Sequence, residues 1–211
     1  MARACDSPAS ARQSFLVRRR TALPLVLLLL ALPLILFTSH PWPELGILDY
    51  SLTTLGYLLI FGGIIGRLWA TLYIGGRKAE TVMRTGPYSI VRHPLYVSNL
   101  LLGIGFGLLT ENFILLGAVV VFFVIQYTAT IRFEERLMLE RFGEAYRSYQ
   151  RDVPRFLPNF TRYTDEPPVS IHMPALRKEL LTSLCFIVLV PVIHLAVLLQ
   201  ELGFVRHIII P

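Results

Sequence analysis

Long blocks of apolar residues constrain this chain more than any other feature. Hydrophobic residues make up 54% of its 211 residues, and charged residues make up only 16%. Several blocks approach the roughly 20 apolar residues that a helix needs to cross a bilayer. The sequence therefore predicts an all-α, polytopic integral membrane protein with a single domain spanning residues 1–211.

About five of these blocks are predicted to be transmembrane helices, and the polar segments between them divide the chain. A tight turn at Thr110–Asn112 joins the third and fourth helices, so these two helices must form an antiparallel hairpin. The predicted spans are residues 22–37, 47–73, 95–110, 113–131 and 180–199. The division is a tail (1–21), a four-helix membrane part (22–131), a segment of helices and loop outside the bilayer (132–179) and the last span (180–199).

The positive charges indicate how the chain is oriented. Of the 20 Lys and Arg residues, 18 lie in residues 1–21, 75–93 and 132–179. Basic residues concentrate on the cytoplasmic side of membrane proteins. We therefore expect these three segments, and the N-terminus, to be cytoplasmic, with the chain in the cell's inner (plasma) membrane. The net charge of +6 reflects this topology and does not indicate a nucleic-acid partner.

A dense cluster of special residues precedes the third span. Gly86-Pro87 predicts a turn, and Pro94 is suited to the first position of a helix. Arg92 and His93 then lie beside the helix N-terminus, where an anion at the membrane surface can be held. The alternative is that both residues only anchor the helix among lipid headgroups.

The predicted hairpin brings a second cluster close to the first. Arg92 and His93 should lie near Glu134 and Glu135, at the same end of the hairpin. Adjacent helical residues point about 100° apart, so one glutamate should face the cleft and the other should face solvent. Ordinary surface charge is the alternative explanation for this pair.

Several other site classes lack their sequence signals. The five histidines show no metal-ligand spacing, so we predict no metal site, and neither a P-loop nor a G-x-S-x-G motif is present. Gly103, Gly105 and Gly107 lie inside a span, where close helix packing explains them better than a dinucleotide-binding loop does.

Taken together, the motifs of residues 73–158 resemble those of the isoprenylcysteine carboxyl methyltransferases and the wider phospholipid methyltransferase-like membrane group. The resemblance depends on the order and spacing of four elements. They are Thr81-Val82-Met83-Arg84-Thr85-Gly86-Pro87-Tyr88, Arg92-His93-Pro94-Leu95-Tyr96, Glu134-Glu135, and Phe142-Gly143 with Tyr146, Tyr149 and Val153-Pro154 to Pro158.

The resemblance implies a pocket for S-adenosyl-L-methionine on the cytoplasmic side and a lipid-like or small amphipathic acceptor that enters from the bilayer. Arg92 and Arg132 are the candidate catalytic cations. The positions that match the family's cofactor contacts are Glu80, Thr81, Val82, Met83, Tyr88, His93, Pro94, Leu95, Tyr96 and Glu134.

Two positions depart from the family pattern. Ser98 replaces a glycine that usually follows the His-Pro-x-Tyr motif. Thr130 stands where the carboxyl methyltransferases have an arginine that binds the acceptor carboxylate. Arg132 is the nearest cation, but it lies on another face of the helix.

Carboxyl O-methylation is the leading reaction that these patterns predict. The alternatives are N-methylation of an amine headgroup of a phospholipid, an NADPH-dependent enzyme similar to the sterol reductases, and a non-catalytic membrane binding protein. The predicted partner is a membrane lipid or lipid-like substrate, with no nucleic acid. The sequence does not indicate the oligomeric state.

Overall fold

The computed structural model describes residues 46–74, 81–110, 113–165 and 172–202. These residues form helices and no β-strand, so the all-α prediction is confirmed. The helices are α1 (Ile47–Ile74), α2 (Pro87–Ile90), α3 (Pro94–Leu109), α4 (Phe113–Phe142), α5 (Glu144–Asp152), a 3-10 helix (Phe160–Arg162) and α6 (Met173–Glu201).

Three of the described helices are long and apolar enough to cross a membrane: α1 within Tyr50–Ile74, α4 within Leu116–Phe142 and α6 within Met173–Leu195. The apolar helix α3 has 16 residues and is therefore only about 24 Å long, less than the roughly 30 Å of a hydrocarbon core. The prediction of a membrane protein is confirmed. The predicted span 22–37 lies outside the described residues.

The helix boundaries follow local signals in the sequence. Helix α3 begins at Pro94, as predicted, because a proline in the first turn removes no helical hydrogen bond. Helix α4 continues past the predicted span to Phe142, and Gly143 ends it with a φ of 53°. Helix α6 begins at Met173 and not near residue 180, because Pro174 lies in its first turn.

The chain divides into two compact units. One comprises Trp42–Leu195 and contains α1 to α5 and most of α6, and all contacts described below lie within it. The other comprises Met1–Pro41 with Ala196–Pro211, of which the structure describes only residues 196–202. The single-domain organisation of residues 1–211 stays a prediction.

Glycines on α1 allow this helix to pack closely against α3. A Cβ atom on Gly63 would lie 2.7 Å from Leu102 Cγ and 2.9 Å from the backbone oxygen of Ser98. A Cβ atom on Gly66 would lie 2.5 Å from Ser98 Oγ, whereas one on Gly62 would meet no described atom within 4 Å. The small face of α1 that packs against α3 therefore includes Gly63 and Gly66.

A polar network joins four helices inside the apolar part of the unit. Arg67 on α1 donates to both oxygens of Glu179 on α6, at 2.6 and 3.1 Å, and these side chains are only 15% and 12% exposed. Arg67 also donates to Asn99 Oδ1 on α3, and Asn99 Nδ2 donates to Tyr127 Oη on α4 at 3.0 Å. Paired ionisable groups in an apolar environment hold helices in a fixed arrangement.

The segment after α5, residues 153–165, folds back along residues 84–92, and we call it the strap. Its direction is antiparallel to the segment that it covers. Three backbone hydrogen bonds join them: Gly86 N to Thr164 O (2.8 Å), Asn159 N to Ile90 O (2.9 Å) and Arg92 N to Pro154 O (2.9 Å). The strap therefore ends up directly beside the start of α3.

Candidate functional site

The centre of the candidate site is the carboxylate of Glu135, which is 4% exposed. Arg92 Nη1 donates to Glu135 Oε1 at 2.8 Å, and His93 Nε2 lies 3.1 Å from the same oxygen. Arg155 donates to both carboxylate oxygens, from Nε at 3.2 Å and from a terminal nitrogen. One carboxylate on α4 therefore binds Arg92 and His93, which directly precede α3, and Arg155 of the strap.

The local fold explains why these side chains meet. Pro94 starts α3, so Arg92 and His93 lie in the non-helical link just before it. The α3–α4 hairpin aligns this link with Glu135, and the strap carries Arg155 to the same place. The predicted proximity of Arg92 and His93 to the glutamate pair is confirmed for Glu135.

The charges of the cluster do not cancel. Two arginines face one carboxylate, so the cluster carries excess positive charge even with a neutral His93. Because the carboxylate accepts a hydrogen bond from His93 Nε2, that nitrogen carries a hydrogen. The carboxylate thereby orients the imidazole ring.

Aromatic rings extend from the cluster into the helices. The His93 and Tyr96 ring centroids lie 5.7 Å apart, and the Tyr96 and Tyr127 centroids lie 4.7 Å apart. Tyr88 on α2 is also buried. Such rings offer apolar faces to a base and a negative quadrupole to a cation.

Two tyrosines of α5 hold α2 and the segment before it in place. Tyr149 Oη donates to the backbone oxygen of Tyr88 at 2.8 Å and so fixes α2. Tyr146 and Tyr149 are both buried against Val82 and Val153, as expected for aromatic residues three positions apart on one helical face. Burial, followed by the charge of Glu135, raises the pKa of Tyr146 to about 12, and burial also raises the pKa of Tyr149. Both side chains are therefore neutral phenols near pH 7.

The remaining predicted site residues surround this cluster unevenly. Glu134 is half-buried and close enough for its charge to raise the pKa of Tyr146. Arg132 is exposed. Thr130 Oγ1 donates to the backbone oxygen of Gln126 on its own helix at 2.8 Å. The second cation beside Glu135 is therefore Arg155, a residue that the sequence analysis did not select.

The predicted cofactor segment before α2 is only partly described. Glu80 lies outside the described residues, Thr81 is exposed, and Val82 and Met83 are half-buried. Thr85 Oγ1 lies 3.6 Å from Met83 Sδ. At the start of α3, Pro94 is buried and Leu95 is half-buried.

One class of site is not found in the part of the chain that the structure describes. Within residues 46–74, 81–110, 113–165 and 172–202, no group of three or more His, Cys, Asp or Glu side chains is placed to hold a metal ion.

Comparison with known proteins identifies one family and two similar proteins. The model of the phospholipid methyltransferase family matches residues 51–145, a range that contains Arg92, His93 and both glutamates. The chain is 34% identical over 199 residues to the cobalt-zinc-cadmium resistance protein CzcN of Cupriavidus metallidurans, covering 94% of this chain and 91% of that protein. It is 35% identical over 175 residues to the nickel-cobalt-cadmium resistance protein NccN of Alcaligenes xylosoxydans xylosoxydans, covering 82% and 81%. No solved structure matches.

Proposed function

Because the chain belongs to the phospholipid methyltransferase family, we propose that it is a membrane methyltransferase that uses S-adenosyl-L-methionine at the cytoplasmic membrane face. The observation that carries this proposal is the cluster of Arg92, His93 and Arg155 around Glu135. It joins the start of α3, α4 and the strap into one site beside apolar helices. The acceptor is a lipid-like or small amphipathic molecule that reaches the site from the bilayer.

The residues of the site fit the chemistry of the methyl donor, which supplies an electrophilic methyl group on a sulfonium. The rings of Tyr88 and Tyr96 provide faces for the adenine and the sulfonium. Glu134 can accept hydrogen bonds from an amino group or hydroxyls, and His93 can donate to a carboxylate. We also include Thr81, Val82, Met83, Pro94 and Leu95 in the donor pocket, and we keep Glu80 as its predicted neighbour.

Glu135 has a different role in this proposal. Its oxygens already accept hydrogen bonds from Arg92, His93 and Arg155, so we assign it as a positioning residue and not as a contact of the donor. It orients His93 and draws the strap over the start of α3. Alignment of the reactants and exclusion of water supply most of the catalysis that a methyl transfer needs.

Carboxyl O-methylation is the leading reaction because two arginines, Arg92 and Arg155, lie together beside the start of α3. Arg155 is 41% exposed, so one face of this guanidinium is open to an acceptor carboxylate near Glu135. Arg92, half-buried beside it, adds positive charge, and Arg132 on the exposed side of α4 is a weaker candidate. The alternative is N-methylation of an amine headgroup of a phospholipid, since the matched family is that of the phospholipid methyltransferases.

One labelling experiment separates these reactions. Membranes with and without the protein are incubated with S-adenosyl-L-methionine that carries a radioactive methyl group, and the lipid extract is then treated with base. Base hydrolyses methyl esters to volatile methanol, whereas N-methyl groups keep their C–N bonds and stay in the non-volatile fraction. Protein-dependent volatile label supports O-methylation, and protein-dependent non-volatile label supports N-methylation. No protein-dependent label in either fraction contradicts the proposed transferase.

The names of the two relatives suggest a physiological setting for this activity. Both are named as metal resistance proteins, and we propose that the methylation by this chain contributes to resistance to divalent metals. Growth of a deletion strain in cobalt, zinc or cadmium tests this, with complementation by the wild-type gene and by a His93→Ala gene. Equal rescue by both genes would separate resistance from the proposed site.

A further inference from the structure

The strap presents large apolar side chains to the outside. Leu157 is 82% exposed and Phe160 is 71% exposed, and Phe156 between α5 and the 3-10 helix is also exposed. Isolated exposed apolar residues are normal, but three on one short segment indicate a contact surface.

Basic side chains lie next to these apolar tips. A surface cleft of about 650 Å³ between α5 and the 3-10 helix is lined by Arg92, Arg151 and Arg162, with Asp152 as the acidic residue of its lining and Leu157 and Phe160 at its edge. Three arginines against one aspartate give the cleft a formal charge of +2. Its volume is in the range of small-ligand sites.

The existing contacts of Arg151 and Arg162 leave both able to bind an anion. Arg151 pairs with Glu144 at 2.8 Å, but both side chains are about 70% exposed, and such pairs contribute little. Arg162 donates from one nitrogen to the backbone oxygen of Asp152, which leaves other donors of its guanidinium. Arg92 Nε is buried and has no hydrogen-bond partner among the described residues.

The position of the strap identifies the source of the anion. Its Pro154 accepts a hydrogen bond from the backbone of Arg92, two residues before α3 begins, so the strap lies level with the end of an apolar helix. Apolar tips beside arginines are typical of segments that lie in a membrane interface. The anionic lipids of the cytoplasmic leaflet attract such basic segments.

We propose that the strap is an interfacial anchor and that the cleft lined by Arg92, Arg151 and Arg162 binds the phosphate of an anionic phospholipid headgroup, with Leu157 and Phe160 inserted among the acyl chains. This lipid is bound beside the candidate active site and is not its acceptor. The strap also carries Arg155 to Glu135. A lipid that holds the strap therefore stabilises the contact between Arg155 and Glu135.

Thermal unfolding of the detergent-purified full chain tests the proposal. We expect dioctanoyl-phosphatidylglycerol to raise the melting temperature by about 3 °C more than dioctanoyl-phosphatidylcholine does. Inorganic phosphate alone should give no shift, because it lacks the acyl chains that contact the apolar tips. An equal shift with both lipids, or a shift of the same size with inorganic phosphate, would overturn the proposal.

Matched double variants locate the effect. Arg151→Gln with Arg162→Gln should abolish the extra shift with phosphatidylglycerol, whereas Arg136→Gln with Arg147→Gln, which removes two exposed arginines outside the cleft, should retain it. Leu157→Ser keeps the charges and should reduce the shifts with both lipids.

If the cleft variant melts too early to compare, native mass spectrometry of retained phosphatidylglycerol gives the same contrast. Equal retention in both double variants overturns the proposal. The readout needs no methyl donor, so its failure is distinct from failure of the proposed transferase.

Discussion

Arg155 and Glu135 form a two-point contact across 20 residues of sequence, with Arg155 Nε 3.2 Å from Glu135 Oε1 and a terminal nitrogen bound to the other oxygen. This contact joins the strap to α4. Because Arg92 and His93 bind the same carboxylate, one side chain contacts both the strap and the start of α3.

Replacing Glu135 should therefore destabilise the protein more than replacing its neighbour. Glu135→Gln leaves the half-buried Arg92 and Arg155 without the counter-charge that both now contact, and we expect a loss of about 3 kcal/mol in the free energy of unfolding. Glu134→Gln is the matched control, with a loss below about 1 kcal/mol. Denaturant unfolding in detergent measures both, and similar losses for the two variants would contradict the positioning role of Glu135.

The ion pair between Arg67 and Glu179 should show strong coupling. Arg67→Met or Glu179→Met alone leaves one charge in an apolar environment and should cost about 3 kcal/mol, whereas the double variant should recover much of this loss. Unfolding of the four proteins of this cycle measures the coupling. Lys178→Met, at an exposed position next to Glu179, serves as the control. Additive losses in the double variant would show that the pair does not hold α1 to α6.

Two adjacent glycines on α1 should respond differently to alanine. Gly63→Ala places a Cβ atom 2.9 Å from the backbone oxygen of Ser98, which cannot move aside easily, whereas Gly62→Ala meets no described atom within 4 Å. We expect a loss of about 1–3 kcal/mol for the first variant and almost none for the second. Melting temperatures of the two variants make the comparison. A larger loss of stability for Gly62→Ala would mean that α3 packs against a different face of α1 from the one that includes Gly63.

High pH should destabilise the protein partly through Tyr146. Burial raises its pKa from 10.0 to about 12, so the folded state retains the phenol proton while the unfolded state releases it. The contribution of Tyr146 to stability is therefore intact below pH 10 and is lost as the pH rises from about 10 to 12. Tyr146→Phe should show a shallower decline across this range in a pH series of unfolding measurements. An unchanged slope would mean that the phenol is not buried.

The sequence predicted the elements of the fold better than the contacts between them. Pro94, Gly143 and the apolar blocks act locally, so the start of α3 and the end of α4 follow from them directly. The choice between Glu134 and Glu135 depends on the rotation of α4 about its axis. A pattern of adjacent charges does not define that rotation, and packing against α3 and α5 does.

Contacts between residues far apart in the sequence were harder to predict than the helix boundaries. Arg67 lies within the predicted span 47–73, and its partner is Glu179, 112 residues away. Arg155 belongs to a motif that the resemblance includes, yet its place beside Glu135 depends on backbone hydrogen bonds such as that from Asn159 to Ile90. A sequence without an alignment carries no signal for either contact.

The most direct test of the proposed function is calorimetric titration of S-adenosyl-L-methionine into the detergent-purified protein, with NADPH as the comparison ligand. We expect S-adenosyl-L-methionine to bind, NADPH not to bind, and His93→Ala and Glu134→Gln each to weaken the affinity at least tenfold, while Arg136→Gln leaves it unchanged. Binding of NADPH in place of S-adenosyl-L-methionine, or unaltered affinity in both site variants, would contradict the assignment of this site to a methyl donor.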